Sequence, residues 1–326
     1  MHIAILGAGA WGTALALSFA QRHSVSLWTW RPDHAAAMNA ARENTRYLPG
    51  FPFPETLNVG ADFNAAVACA DLAVIATPIA GLREAAARLA SARPDLPFLW
   101  VCKGLEAGTG LLPHQVVAAV AAPARCGALS GPSFAAEVAR NLPTAVTLAA
   151  SDGAFAEHAA QALNGPRLRI YANDDLIGVE VGGAVKNVIA IATGICDGLG
   201  LGLNARAALM TRGLAEITRF GVALGARAET FMGLSGLGDL ILTCTGDLSR
   251  NRRLGLALAA GRPLPQIQHE LGHVAEGVHT AHEVARRARA LGVEMPITAT
   301  VCDVLDGHLS AAGAVERLMR RDPKHE

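Results

Sequence analysis

Along roughly the first half of the chain, short β-rich runs alternate with alanine-rich stretches of helical period. The spacing predicts strands over 3–6, 25–28, 72–75, 98–101 and 145–148, with helices near 11–21, 79–92, 113–122 and 152–164. The strand runs are apolar almost throughout instead of alternating, which is what burial on both faces of a sheet demands. Strands that alternate with helices imply right-handed crossovers and a parallel, doubly wound sheet covered on both sides. After residue 173 the β-rich runs stop. Segments 174–198, 204–225, 250–260, 276–291 and 297–306 all read as helices. Asn173-Asp174-Asp175 opens this part with side chains suited to capping a helix N-terminus. The expectation is therefore two domains, α/β over 1–173 and all-helical over 174–326.

Composition supports that picture. The chain has 326 residues, 51% hydrophobic and 17% charged, enough apolar matter for two cores. Lys plus Arg number 28 and Asp plus Glu number 28, so no net field recruits nucleic acid or an acidic membrane. The first strand begins at His2, which leaves no room for a signal peptide, and glycine, proline or charge interrupts every apolar stretch before the ~20 residues that cross a bilayer. Cys69, Cys102, Cys126, Cys196, Cys244 and Cys302 are scattered without a C-x-x-C pair. That pattern points to reduced structural thiols in a cytoplasmic protein.

The chemistry begins at Gly7-Ala8-Gly9-Ala10-Trp11-Gly12, a G-x-G-x-x-G sequence that leaves a predicted strand and opens a predicted helix. In that setting the first glycine turns the chain, the second lets backbone approach a pyrophosphate, and the third packs helix on strand. Helix N–H groups then hold the phosphates. The N-terminal half thus reads as a Rossmann-like dinucleotide domain. At the end of the second strand, where an NAD site carries Asp or Glu for the ribose 2′-hydroxyl, this chain has Thr29-Trp30-Arg31, with Asp33 beyond Pro32. A guanidinium suits a 2′-phosphate, so NADP(H) is expected to serve at least as well as NAD(H).

Lys186 lies among small apolar residues in Gly182-Gly183-Ala184-Val185-Lys186-Asn187-Val188. Burial there would disfavour its ammonium form and make it a proton shuttle near neutral pH. The plainer alternative is a helical lysine reaching to solvent. Lys103, in the loop Cys102-Lys103-Gly104 after a strand, is either a surface lysine or a cation for an anionic substrate. Ser133, in Ser130-Gly131-Pro132-Ser133-Phe134-Ala135, can cap the helix that follows. Further on, Gly236-Leu237-Gly238-Asp239 precedes Ser249-Arg250-Asn251. With Ser249 as N-cap, Arg250 and Asn251 would stand in a first helical turn, where a cation opposes the helix dipole unless an anion binds. That terminus reads as a phosphate site. His273, Glu276, His279, His282 and Glu283 cluster in sequence, but match no zinc spacing, and no metal is expected.

These motifs resemble the bacterial-type NAD(P)-dependent glycerol-3-phosphate dehydrogenases, nearly end to end. The resemblance rests on the glycine loop through Ala16, Cys102-Lys103-Gly104, the 130–135 loop, the block from Gly182 to Glu216, and Gly236–Leu240 with Ser249-Arg250-Asn251. It implies that Lys186 is the proton donor and acceptor. It implies that Lys103, Gly131, Ser133, Asp239, Ser249, Arg250 and Asn251 join Lys186 around the glycerol phosphate. Gly7, Gly9, Trp11, Gly12, Arg31, Lys103, Ala135, Arg250, Val274 and Glu276 would hold the dinucleotide. A small phosphorylated three-carbon substrate and supply of phospholipid synthesis follow from the same resemblance, while the apolar character of the helical half leads to the expectation of a homodimer. Two alternatives stay open at this point: a β-hydroxyacid dehydrogenase or ketopantoate reductase relative, whose substrates carry carboxylates, and a protein that senses NADP(H) without turnover.

Overall fold

The computed structural model describes residues 1–121, 125–270 and 276–321. The chain divides into two compact units, 1–103 with 113–176, and 104–112 with 177–326.

In the first unit, β1 (His2–Leu6) runs through α1 (Ala10–Phe19) to β2 (Ser24–Trp28) and α2 (Pro32–Ala41). A small antiparallel pair follows, β3 (Glu43–Asn44) with β4 (Leu48–Pro52). Then come β5 (Leu57–Gly60), α3 (Phe63–Val67), β6 (Leu72–Ile75), α4 (Ile79–Ala92), β7 (Phe98–Trp100) and α5 (Pro113–Ala118). The unit closes with β8 (Cys126–Ser130), α6 (Ala135–Ala139), β9 (Thr144–Ala150), α7 (Gly153–Leu163) and β10 (Leu168–Asn173). Eight strands form one sheet in the order β10-β9-β8-β7-β6-β1-β2-β5. The chain winds outward from β1 through β2 to β5, then returns to β6 on the other side of β1. That reversal is the switch point at which such sheets bind ligands. Ile3, Ala4, Ile5 and Leu6 of β1 are fully buried, as are Ala73, Val74 and Ile75 of β6, which accounts for their unbroken apolar sequence.

The sheet departs from the expected parallel pattern at one pair: β8 and β9 are antiparallel. Their connection carries only the short α6, which packs against α1 with Trp11 and Val138 in one apolar cluster. β9 then pairs in parallel with β10 across α7. Strands β5, β8 and β10 carry weak sequence signals. β10 sits at the sheet edge, with Leu168 and Ile170 buried and Arg169 and Tyr171 exposed, while β8 reads Cys-Gly-Ala-Leu-Ser.

The second unit is helical: α8 (Leu176–Gly198), α9 (Gly202–Ala223), α10 (Asp239–Thr245), α11 (Arg250–Ala259), α12 (Leu264–Glu270), α13 (Glu276–Ala290), α14 (Pro296–Leu305) and α15 (Ala311–Met319). A 3-10 turn at Ala228–Met232 and a π turn at Leu234–Gly238 lead into α10. The core is built on α8, whose Val181, Ala184, Val185, Val188, Ile189 and Ile191 are fully buried. By length and composition α8 could cross a membrane, contrary to the reading that every apolar stretch is interrupted too soon: its most apolar window has mean hydropathy 1.5. That window is 94% buried inside the protein, so α8 is a core helix. Of its three charged residues, Glu180 and Lys186 are buried with it, and Asp197 stands near its C-terminal end.

Residues 104–112 fall within the span read from sequence as the first domain, yet they pack with the second unit. Leu105 and Leu112 enter the helical core, Gly108 N–H donates to Glu283 at 2.8 Å, and Arg287 donates to the Gly110 carbonyl at 2.8 Å.

Candidate active site

In the first unit the glycine loop is shaped by the atoms around it. Gly7 has φ +131°, and a Cβ there would meet the Ala76 carbonyl at 2.7 Å. A Cβ on Gly12 would run into the Gly7 carbonyl oxygen. Both must be glycine for the loop to close on β6. Gly9 differs: its backbone is extended, and an added Cβ meets no atom of the described residues within 4 Å. Its bareness serves something other than the fold. α1 begins just after it with no side-chain cap and no acidic residue in its first turn, a terminus that suits an anion. Beside the loop, the Thr77 hydroxyl is buried without a hydrogen-bond partner among the described residues. An open approach at Gly9, an uncapped helix terminus and an orphaned hydroxyl all fit a dinucleotide pyrophosphate and ribose.

Trp11 and Ala135, both predicted to touch the cofactor, lie in one apolar cluster. Arg31, at the end of β2, pairs with Asp33, with Nε 3.1 Å from the carboxylate. That hydrogen bond holds the Asp33 carboxyl below its ordinary range. A 2′-phosphate would therefore share the guanidinium with a carboxylate. Lys103 and Ser133 converge on one carbonyl: Lys103 Nζ donates to Gly131 O at 3.3 Å and Ser133 Oγ donates to it at 2.9 Å. Ser133 does not cap α6. The helix starts at Ala135 with Phe134 as N-cap, so the hydroxyl turns back on its own loop.

In the second unit Lys186 is buried on α8, and its Nζ donates to the Asp239 carboxylate and, at 2.8 Å, to Thr243 Oγ1. Thr243 Oγ1 in turn donates to the Asp239 carbonyl at 2.6 Å. The lysine is thus no solvent-seeking side chain but an amine fixed between a carboxylate and a hydroxyl. Breaking one member of such a buried pair costs roughly 3–5 kcal/mol. Sequence reasoning missed Thr243, although its spacing of four from Asp239 on a helix was a usable signal. Cys244 is also buried near this pair. Desolvation pushes its thiol up to about 12, which removes it as a nucleophile.

Ser249 caps α11 as its sequence suggests, accepting from Arg252 N–H at 3.2 Å. Arg250 is exposed at that terminus, and Asn251 is buried with Oδ1 accepting from Gly277 N–H at 3.1 Å, next to Glu276. Arg252 binds Asp197 of α8 through Nε at 2.9 Å and Nη2 at 2.8 Å, which ties the α11 terminus to the helix that carries Lys186. Val274 and His273 lie outside the described residues. Of the other histidines in that cluster, His282 is held by the Val278 carbonyl and Asp306, both at 2.9 Å.

A doubly wound sheet with a glycine loop open to phosphate, followed by a helical unit holding a buried amine, defines the class: a nicotinamide-dependent dehydrogenase with a Rossmann-like domain. Sequence profiles of the NAD-dependent glycerol-3-phosphate dehydrogenase N-terminus and C-terminus match residues 2–156 and 175–316. The glycerol-3-phosphate dehydrogenase [NAD(P)+] of Dechloromonas aromatica is 66% identical over 327 residues, taking in 100% of this chain and 99% of that one. The solved glycerol-3-phosphate dehydrogenase of Coxiella burnetii superposes with TM-score 0.94 at 45% identity, covering 98% of this chain and 99% of the other. The chain belongs to the NAD-dependent glycerol-3-phosphate dehydrogenase family. A ketopantoate reductase from Ralstonia eutropha, at TM-score 0.59 and 17% identity over 94% of this chain and 97% of its own, shares the fold alone.

Proposed function

We propose that this protein reversibly reduces dihydroxyacetone phosphate to sn-glycerol 3-phosphate with NAD(P)H, and that Lys186 donates and recovers the proton. The bound nicotinamide supplies or accepts the hydride at its C4 position. As the substrate's middle carbon gains hydride, negative charge grows on its oxygen. The Lys186 ammonium stabilises that charge and passes its proton to the oxygen. Asp239 and Thr243 aim the amine. Lys103, Gly131, Ser133, Ser249, Arg250 and Asn251 bind the substrate, the phosphate going to the α11 terminus and Arg250. Gly7, Gly9, Trp11, Gly12, Arg31, Lys103, Ala135, Arg250, Val274 and Glu276 serve the dinucleotide.

The observation that carries this reading is the Lys186 amine, buried and held by Asp239 and Thr243. A substrate panel tests it. Nicotinamide absorbance should change with dihydroxyacetone phosphate, and hardly at all with unphosphorylated dihydroxyacetone or with ketopantoate. Turnover of the carboxylate substrates instead would move the protein to the ketopantoate reductase side, and tight NADPH binding without any turnover would make it a sensor. Arg250→Ala should raise KM for the phosphorylated substrate at least tenfold. An unchanged KM would place the phosphate elsewhere. The same reading gives the protein a cytoplasmic role supplying glycerol phosphate to phospholipid synthesis, as a homodimer.

A further inference from the structure

We infer that Asn44 is a positioning residue of the dinucleotide site: it aims the glycine loop and links that loop, through His34 and Thr29, to the strand end that carries Arg31. The inference rests on the glycine loop holding the dinucleotide. Asn44 lies in β3, outside the glycine motif, and is fully buried. Its Nδ2 donates to the Ala8 carbonyl at 3.0 Å and to Thr13 Oγ1 at 2.8 Å. Its Oδ1 accepts from the Tyr47 backbone N–H at 3.2 Å and lies 3.1 Å from His34 Nε2.

These partners fix the directions at Asn44 and at His34 Nε2. A backbone N–H only donates, so the atom facing Tyr47 must be the amide oxygen. His34 Nε2, which faces the same oxygen, must then carry a proton. In the neutral ring Nδ1 is left as an acceptor, and it faces the Thr29 hydroxyl at 3.4 Å. Thr29 Oγ1 accepts in turn from Arg31 N–H at 3.4 Å. A directed chain therefore runs from the Arg31 backbone to the carbonyl in the middle of the glycine loop. His34 is buried, with the Tyr47 ring set edge-on at 5.3 Å.

The Ala8 carbonyl is the informative end. Ala8 C=O and Gly9 N–H belong to one planar trans peptide, so they point in opposite directions. Holding the oxygen fixes where the Gly9 N–H points, and Gly9 is the loop position whose open side has no structural explanation. The second bond, to Thr13, fixes the first turn of α1 against the same loop. A burial-only role would need neither bond aimed at this peptide. A loop arranged before binding spares the ligand the entropy of ordering it.

The test is cofactor binding to the substrate-free protein, followed by nicotinamide fluorescence. Asn44→Asp keeps the shape but sets a carboxylate against the Ala8 carbonyl, and it should weaken NADPH and NADH alike by tenfold or more. In turnover the loss should fall on cofactor KM and not on kcat. His34→Phe cuts the link to the β2 end while keeping an aromatic ring beside Tyr47, and it should weaken NADPH more than NADH, by threefold or more. Either variant, folded by circular dichroism and binding both cofactors within twofold of the parent, overturns the inference. If Asn44→Asp does not fold, His34→Phe alone decides. Gly9→Val separates this proposal from the reading it rests on, because a Cβ there meets no atom of the described residues within 4 Å, whereas a pyrophosphate needs bare backbone at that position. Unimpaired binding by Gly9→Val removes the dinucleotide from the loop. Abolished binding there with full binding by Asn44→Asp removes only Asn44.

Discussion

A lysine buried beside a carboxylate and a hydroxyl is an expensive arrangement, because both charges give up water to form it. Of the polar residues that matter here, those inside motifs were readable from sequence: the glycine loop, Lys186, Asp239 and the Ser249 cap all sit at informative spacings. The loop Ala76-Thr77-Pro78 was also readable, as one that leaves a strand at its carboxyl end, but Asn44 and His34 were not, because no motif spacing links them to their partners. Thr243→Val tests the hydroxyl that faces the amine. Hydrogen bonds to charged groups contribute roughly 1.5–3 kcal/mol, so kcat should fall about tenfold or more while cofactor affinity holds. Unchanged turnover would reduce Thr243 to packing. Thiol labelling gives an independent check on burial. Cys244 and Cys302, both pushed up to about 12 chiefly by desolvation, should resist alkylation at pH 8 until the protein unfolds, whereas exposed Cys69 should react at once. Rapid labelling of Cys244 in the native protein would contradict its place beside Lys186.

Among the elements, long periodic helices and apolar central strands were legible, while weakly patterned pieces such as β8, β10 and α12 were not. Their residues are small, edge-exposed or polar, and only packing against neighbours decides their state. One helix start shows how far such decisions reach. α14 begins with Met295 as N-cap, which has no oxygen to offer, and Pro296 in its first turn. Glu216 of α9 supplies the cap instead. It accepts from Ile297 N–H and, at 3.2 Å, from Thr298 N–H, with the Thr298 hydroxyl at 3.1 Å. Desolvation raises its carboxyl above the ordinary value, and those N–H donors offset this only in part. A raised value means that the folded state holds the proton more tightly than the unfolded chain. The contribution is full below the unfolded value, about 4.3, and is lost as pH rises through the folded one. Urea unfolding should therefore show the parent losing stability relative to Glu216→Gln as pH rises from about 4.3 toward neutrality. A pH-independent difference between the two would contradict this account of the cap.

At the scale of the whole molecule, sequence reading captured the two kinds of architecture and missed the loop 104–112. No periodicity marks that segment. Only Leu105, Leu112 and the bonds to α13 show which core it joins. The second unit also carries an apolar groove of about 1050 Å³ lined by α9, α14 and α15, with Leu201, Val222 and Met319 exposed along it. Exposed apolar side chains along one groove are a surface at which copies of a chain can associate. Sedimentation at micromolar concentration should find the homodimer, and a monomer would contradict that part of the proposal. Cofactor choice belongs to this scale as well, since Arg31 is shared with Asp33. Arg31→Ala should shift the NADPH-to-NADH preference toward NADH, and an unchanged ratio would mean that the 2′-phosphate is read elsewhere. The central claim is that one buried amine moves the proton while the dinucleotide moves the hydride. Its most direct test is turnover of dihydroxyacetone phosphate by Lys186→Ala, with NADPH affinity measured on the same preparation. The account predicts a loss of about 10²–10⁴ in kcat with cofactor affinity within twofold of the parent. Near-normal turnover would contradict it.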